Sequence, residues 1–142
     1  MRTVAQILLR KGMAVITVDP STSVIDALRL MADKNIGSVV VKESNTYLGI
    51  MTERDYSRKV VLKGKSSEKT TVADIMTKDF PTVTQQDKID HCMKLLSANN
   101  VRYLPVIENE ELVGVISIND VVTETILSQN ETISHLQNYI YT

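Results

Sequence analysis

The sequence predicts an α/β (α+β) protein in which two β-α-β-β-α repeats pack as one pseudo-two-fold module, followed by a C-terminal helical tail. Two observations indicate this fold class. The chain repeats itself at a fixed offset, and within each copy the spacing of apolar residues alternates between that of strands and that of helices. With 142 residues, the chain has the usual length of one domain.

The repeat is clearest where GIMTERD at 49–55 returns as GVISIND at 114–120. An offset of 65 aligns residues 17–55 with 82–120 without a gap, and eight of the 39 pairs are identical. Unrelated segments of ordinary composition would share about two or three. The preceding segments TVAQIL (3–8) and TVADIM (71–76) match at an offset of 68. Duplication of one unit explains these matches.

Each copy predicts the same order of elements. A short strand, at 15–18 or 82–84, precedes a helix, and a hairpin follows, at 38–51 or 103–116. The final helix begins at Thr52 or Ser117. Apolar residues of the first helix recur at i, i+3, i+4 and i+7, which predicts a core-facing stripe: Val24, Ala27, Leu28 and Met31 in one copy, and Ile89, Cys92, Met93 and Leu96 in the other.

These boundaries divide the chain into a first domain at 1–64, a polar linker at 65–70, a second domain at 71–127 and a tail at 128–142. In the tail, Ile133, Leu136 and Ile140 recur at helical spacing, so we expect that helix to dock on the module or across a homodimer.

Composition narrows the function classes. A net charge of −1 gives no reason to expect nucleic acid, and the apolar runs are too short to span a bilayer. We therefore expect a cytoplasmic protein. The sequence contains no Walker loop, and His91 and His135 have no partner at a spacing suited to a metal site or a catalytic base. These features predict that the chain is not an enzyme.

The repeated motif has two interpretations. In T-x-x-D, the hydroxyl of Thr52 can cap a helix and Asp55 can complete a capping box, and Ser117 and Asp120 can do the same. Alternatively, the hydroxyl and the free N–H groups of the helix start hold a phosphate, while the carboxylate holds a ribose. The recurrence, with a glycine three residues before each hydroxyl, favours a nucleotide.

The repeated G-h-h-[ST]-x-x-D motif, the order of elements and NNVRYLPV at 99–106 resemble the cystathionine-β-synthase (CBS) domain. Two copies in tandem resemble a CBS pair, or Bateman module, of the stand-alone bacterial and organellar type. The resemblance extends from Thr3 to about Leu127.

The resemblance implies that AMP, ADP, ATP, S-adenosylmethionine or NAD(H) binds in two clefts, with no metal required. Ribose would bind Asp55 or Asp120, and phosphate would bind Thr52 or Ser117. Near the phosphates, the resemblance implies Arg54, Asn119 and Arg102, and Gly37 occupies the position equivalent to Arg102. Near adenine, it implies Ile50, Pro81 and Val101 in one cleft and Ile16, Ile36 and Val115 in the other.

The function implied is that of an adenine-nucleotide sensor that forms a homodimer and regulates an unidentified protein in trans. Because Arg54 is matched by neutral Asn119, the Asp55 cleft is expected to prefer the more heavily phosphorylated or dinucleotide ligand. The alternatives are a dimeric scaffold that binds no ligand and a nucleotide-processing enzyme.

Overall fold

The structure is a computed structural model that describes residues 2–141. It is a mixed α+β fold, which confirms the predicted class. Along the described chain the elements are α1 (Val4–Lys11), β1 (Thr17–Val18), α2 (Val24–Lys34), β2 (Ser38–Glu43), β3 (Thr46–Thr52), α3 (Glu53–Tyr56), a π-helical turn (Ser57–Val61), α4 (Val72–Ile75), α5 (Ile89–Asn99), β4 (Tyr103–Glu108), β5 (Glu111–Ser117) and α6 (Ile118–Tyr141).

The chain forms two compact units. One comprises residues 15–80 with 109–112, and we call it the first-repeat unit. Among the described residues, the other comprises 2–14, 81–108 and 113–141, and we call it the second-repeat unit. The N-terminal segment therefore belongs to the unit of the second repeat, although the sequence places it next to the first.

The sheet of the first-repeat unit is built on β2. This strand pairs in parallel with β1, where Thr17 lies opposite Val40, and antiparallel with β3, with a bulge between Val41 and Lys42. Four consecutive residues of β2, 38–41, are buried. Strand β2 is therefore covered on both faces, as expected of a central strand next to a parallel neighbour.

Helices α2 and α5 occupy equivalent places in the two repeats. At the start of α2, the hydroxyl of Ser23 caps the helix by accepting from the Asp26 N–H at 3.2 Å. Asn35 and Asn100 close the two helices in the left-handed conformation, with φ of 53° and 51°. Asparagine tolerates this conformation better than most residues, which explains why this residue is identical in the two copies.

The segment predicted to be a flexible linker is bonded to helix α2. The Val24 N–H donates to the Thr70 carbonyl at 2.8 Å, and the Ile25 N–H donates to the Ser67 carbonyl at 2.9 Å. Thr70 is buried. These bonds use N–H groups of the first turn of α2 that have no partner inside the helix.

Helix α1 joins the second-repeat unit through its first turn. The Val4 N–H donates to the Asp87 carbonyl at 2.9 Å and the Ala5 N–H donates to the Gln85 carbonyl at 3.0 Å. The strand predicted at 82–84 reduces to one bridge, Val83 with Val106. The core of this unit consists of Val4, Ile7, Leu8, Val83, Ile89, Cys92, Leu96, Leu104, Val106, Ile116 and Val121.

Helix α6 is one uninterrupted helix of 24 residues. It joins the last helix of the second repeat to the predicted tail, of which Thr142 lies outside the described residues. Glu124 on α6 is fully buried and bonds to Arg2 at 2.6 Å and to Arg10 at 3.1 Å. This ion-pair cluster connects the N-terminal segment to α6 within one unit.

Candidate functional site

The first copy of the motif lies at the start of α3, where Thr52 and Asp55 form a capping box. The Asp55 N–H donates to the Thr52 hydroxyl oxygen at 3.1 Å, and Asp55 Oδ2 accepts from the Thr52 N–H at 3.0 Å and from its hydroxyl at 3.1 Å. The capping interpretation of this motif is therefore correct for the structure as it stands.

The second carboxylate oxygen of Asp55 is also bonded. Oδ1 accepts from the Thr77 hydroxyl at 2.8 Å and from the Lys59 ammonium at 2.9 Å. Lys59 also donates to the Ile75 carbonyl at 2.9 Å. Since a carboxylate offers about four acceptor positions, the bonds within the unit fill those of Asp55.

The second copy of the motif lies at the start of α6. The Asp120 N–H donates to the Ser117 hydroxyl oxygen at 3.1 Å, and Asp120 Oδ2 accepts from the Ser117 N–H at 2.8 Å and from the Lys11 ammonium at 2.7 Å. Within the described part of this unit, no hydrogen bond reaches Oδ1. The Asp120 side chain is 17% exposed, whereas that of Asp55 is 8% exposed.

The charge of Asp120 is stabilised by its neighbours. Partial burial opposes the carboxylate, but hydrogen bonds from Lys11 and Ser117, together with the ammonium charge, lower the pKa of Asp120 below its usual value. Asp120 is therefore a carboxylate at neutral pH, which can accept hydrogen bonds but cannot donate them.

Two further predicted residues lie next to these helix starts. The Glu53 N–H donates to the Gly37 carbonyl at 3.2 Å, and the equivalent Ile118 N–H donates to the Arg102 carbonyl at 2.9 Å. Both units thus bring residue 37 or 102 against the first turn of the motif helix. Arg54, Asn119 and Arg102 are exposed.

The predicted adenine contacts differ in exposure within their units. Ile16 is 37% exposed, and Ile36 and Gly37 line a hollow of about 270 Å³ with Leu28, Met31, Ala32, Asn35 and Glu53. Ile50 is fully buried, and its N–H and carbonyl bond to Thr77 at 3.1 and 2.8 Å. As it stands, Ile50 presents neither side chain nor backbone to a ligand.

The remaining predicted contacts are half-buried in the second-repeat unit. Pro81, Val101 and Val115 keep part of their surface exposed. The Val101 side chain packs against the core of this unit, and the Val115 carbonyl accepts from the Lys11 ammonium at 2.9 Å. Lys11 thus donates to both the Val115 carbonyl and the Asp120 carboxylate.

The motif glycines make room for the protein's own chain. A Cβ at Gly49 would lie 2.7 Å from the Thr77 carbonyl oxygen, and one at Gly114 would lie 2.8 Å from Leu8 Cδ2. The sequence predicts that another group approaches the backbone closely at each glycine. In the structure, these groups are the Thr77 carbonyl and the Leu8 side chain.

Sequence reasoning missed Lys11, Lys59 and Thr77, which contact the motif carboxylates. Lys59 could have been found, because it lies four residues after Asp55 on the same helical face. Thr77 directly follows TVADIM and Lys11 lies three residues after TVAQIL, but nothing local indicates that these segments return to the motif helices.

No group of three or more His, Cys, Asp or Glu residues suited to a metal ion is found among residues 2–141. Burial, with a smaller contribution from the charge of Asp87, raises the pKa of the Cys92 thiol to about 11. The thiol is therefore protonated at neutral pH.

Comparisons with known proteins show which family the chain resembles. The family model of the CBS domain matches residues 4–61 and 72–126. The CBS domain-containing protein CBSX3, mitochondrial, of Arabidopsis thaliana is 39% identical over 83% of this chain. The alignment spans only 60% of that relative, so the chain covers about three fifths of its length.

Solved structures share the fold. A putative signal-transduction protein with CBS domains from Burkholderia ambifaria is 44% identical, with a TM-score of 0.82 over 90% of this chain and 96% of that one. The CBS domain protein PAE2072 from Pyrobaculum aerophilum, complexed with AMP, is 20% identical and has a TM-score of 0.73 over 84% of this chain and 89% of that one.

Two family matches, one per repeat, account for most of the chain. Across residues 2–141, every helix is too short or too polar to cross a membrane. The chain belongs to the CBS-domain family and carries two CBS domains in tandem.

Proposed function

We propose that this CBS pair is a regulatory module that binds an adenosine nucleotide and acts in trans on another protein, with no chemistry of its own. Family membership and the AMP complex of the Pyrobaculum protein support the proposal. The observation that carries it is the start of α6, where Ser117 and Asp120 present a hydroxyl and a partly open carboxylate at a helix N-terminus.

In this proposal, ribose hydroxyls donate to Asp120, and the phosphate lies by Ser117 and the first turn of α6. Lys11, 2.7 Å from Asp120 Oδ2, and the exposed Arg102, whose carbonyl accepts from the Ile118 N–H, supply positive charge near the start of α6. The expected ligands are AMP, ADP, ATP and NAD(H), without a metal. Val115, half-buried in the same unit, is a proposed contact for the base.

Thermal melting with a panel of AMP, ADP, ATP, NADH and S-adenosylmethionine tests the proposal. A ligand at one hundred times its dissociation constant should stabilise the protein by about 2.7 kcal/mol. GMP and GTP carry the same ribose and phosphates and serve as controls for recognition of the base, so they should raise the melting temperature less than their adenine counterparts. A melting temperature unchanged by every adenosine ligand would contradict the proposal.

A scaffold without ligand is the second candidate, and a specific observation favours it. Both motif acids accept from the N–H of their own Thr52 or Ser117, so each completes a capping box. A melting temperature that no adenosine ligand changes would support this scaffold. Turnover of a nucleotide, measured as released phosphate, would instead support the enzyme alternative.

We propose further that the module is a homodimer joined through α6. Five aliphatic side chains form a stripe along this helix, and they are 41–71% exposed: Val122, Ile126, Ile133, Leu136 and Ile140. Ile126, Ile133 and Ile140 are seven residues apart, and Val122 and Leu136 fit the d positions of the same heptad. Ile at a with Leu at d favours pairing of two parallel helices.

The occupant of this stripe is a second copy because the pattern is self-complementary. Two such helices would together bury roughly 1,000 Å², near the lower limit for a specific interface. Gln129 takes the remaining d position and would help to fix the register of the pair.

We propose a cytoplasmic location, although the name of the Arabidopsis relative places that protein in mitochondria. Cell fractionation with an antibody to the chain distinguishes the two compartments.

A further inference from the structure

The two motif aspartates differ in the acceptor positions that remain open to a sugar. We infer that the chain binds one adenosine nucleotide, through Asp120, and that Asp55 serves the fold instead. The inference rests on the proposed function and reverses the sequence-based preference for the Asp55 cleft.

In the first-repeat unit, three hydrogen bonds and one ion pair occupy the carboxylate of Asp55. Thr52 donates two hydrogen bonds to Oδ2, Thr77 donates one to Oδ1, and the Lys59 ammonium lies 2.9 Å from Oδ1. A ribose diol must displace two donors from a side chain that is only 8% exposed. Each hydrogen bond to a charged group is worth roughly a factor of 10 to 150 in an equilibrium constant.

In the second-repeat unit, both bonds to the Asp120 side chain go to Oδ2, from Ser117 and Lys11 at 2.8 and 2.7 Å. Within the described part of that unit, Oδ1 receives no hydrogen bond. One carboxylate oxygen can therefore accept a ribose hydroxyl without breaking a bond of the unit.

The difference originates in two substitutions between the repeats. At the offset of 68, Thr77 corresponds to Leu9, which has no donor and is 83% exposed. At the offset of 65, Lys59 corresponds to Glu124, whose carboxylate is held by Arg2 and Arg10. The second copy therefore lacks both groups that fill Oδ1 in the first.

Equilibrium dialysis with labelled AMP and ATP tests the inference on wild-type protein and on the matched variants Asp55→Asn and Asp120→Asn. We expect one nucleotide per chain for wild type. Asp120→Asn should weaken binding by about 10- to 150-fold, the value of one hydrogen bond to a charged group. Asp55→Asn should keep the stoichiometry and affinity within about threefold while melting at a lower temperature.

Two nucleotides per chain would overturn the inference and leave the proposed function intact. An affinity loss in Asp55→Asn and not in Asp120→Asn would overturn the inference and move the site to Asp55, while the chain would still bind an adenosine nucleotide. Failure of wild type to bind any of AMP, ADP, ATP and NADH would overturn both.

If Asp55→Asn does not fold, the double variant Thr77→Val with Lys59→Met provides a second route. It removes both donors to Oδ1 and keeps the capping box of Asp55. A second, weaker binding event should then appear. A stoichiometry that stays at one would overturn the claim that these donors close the site.

Discussion

At the scale of single residues, Tyr47 carries a polar atom that the fold leaves without a partner. Its hydroxyl is buried and makes no hydrogen bond among the described residues, and burial raises the pKa of Tyr47 to about 12. Tyr47→Phe removes this unsatisfied group, so we expect an increase of about 1 kcal/mol in the free energy of unfolding. Urea denaturation measures it.

Tyr56→Phe is the matched control, because the Tyr56 hydroxyl has a partner in Ser67 at 3.1 Å. This variant should lose about 1 kcal/mol, the opposite sign. If both variants were destabilised equally, the Tyr47 hydroxyl would have a partner in solution, contrary to the structure.

Residue roles were predictable from sequence only where they are local. The bonding of Thr52 with Asp55 and of Ser117 with Asp120 follows from a spacing of three residues. The partners of Asp55 Oδ1 could not be predicted from such a local spacing. Thr77 lies 22 residues from Asp55, and its hydroxyl reaches the carboxylate only because the chain folds back there.

At the scale of elements, the motif glycines allow neighbouring segments to approach, but the two contacts differ in kind. A Cβ at Gly49 would meet a backbone oxygen of Thr77, which cannot move without breaking its bonds to Ile50. At Gly114 it would meet the end of the Leu8 side chain, which can turn away.

We therefore expect Gly49→Ala to cost about 2 kcal/mol of the free energy of unfolding and Gly114→Ala about 1 kcal/mol or less. Urea denaturation of the two variants measures the difference. Equal losses would show that the backbone at Thr77 moves as readily as the Leu8 side chain.

Most elements were predictable because local patterns decide them. The stripes of α2 and α5, the two hairpins and the capped starts of α3 and α6 lie within about a residue of their predicted positions. The strand predicted at 82–84 was too long, since only Val83 pairs with a neighbouring strand, and the 65–70 segment is bonded to α2. Both differences arise from partners distant in sequence.

At the scale of the whole molecule, the exposed stripe of α6 gives the dimer proposal a direct test. Leu136→Asp places a charge on the stripe and should weaken a dimer by at least about thirtyfold, because burying one leucine is worth roughly 2 kcal/mol. Sedimentation velocity at micromolar protein measures it.

His135→Asp is the control, since residue 135 is exposed and lies off the stripe. It should leave the sedimentation coefficient unchanged. A wild-type protein that is monomeric at all concentrations would contradict the dimer.

The composition of the two units could not be predicted from sequence. Repeat matching places residues 3–8 before the first copy, in parallel with 71–76 before the second. In the fold, each of these segments belongs with the other repeat: 2–14 with the second and 71–76 with the first. Local similarity shows that two segments are equivalent, but it does not show which partner each one meets.

This exchange has a consequence for synthesis on the ribosome. Val4, Ile7 and Leu8 emerge before the rest of the core that buries them, which includes residues up to Val121, and Glu124 follows its partner Arg2 by 122 residues. At about 5–20 residues per second, the nascent helix waits roughly 6 to 24 s with its apolar face in water. During each round of translation this segment is a natural client for chaperones that hold the nascent chain.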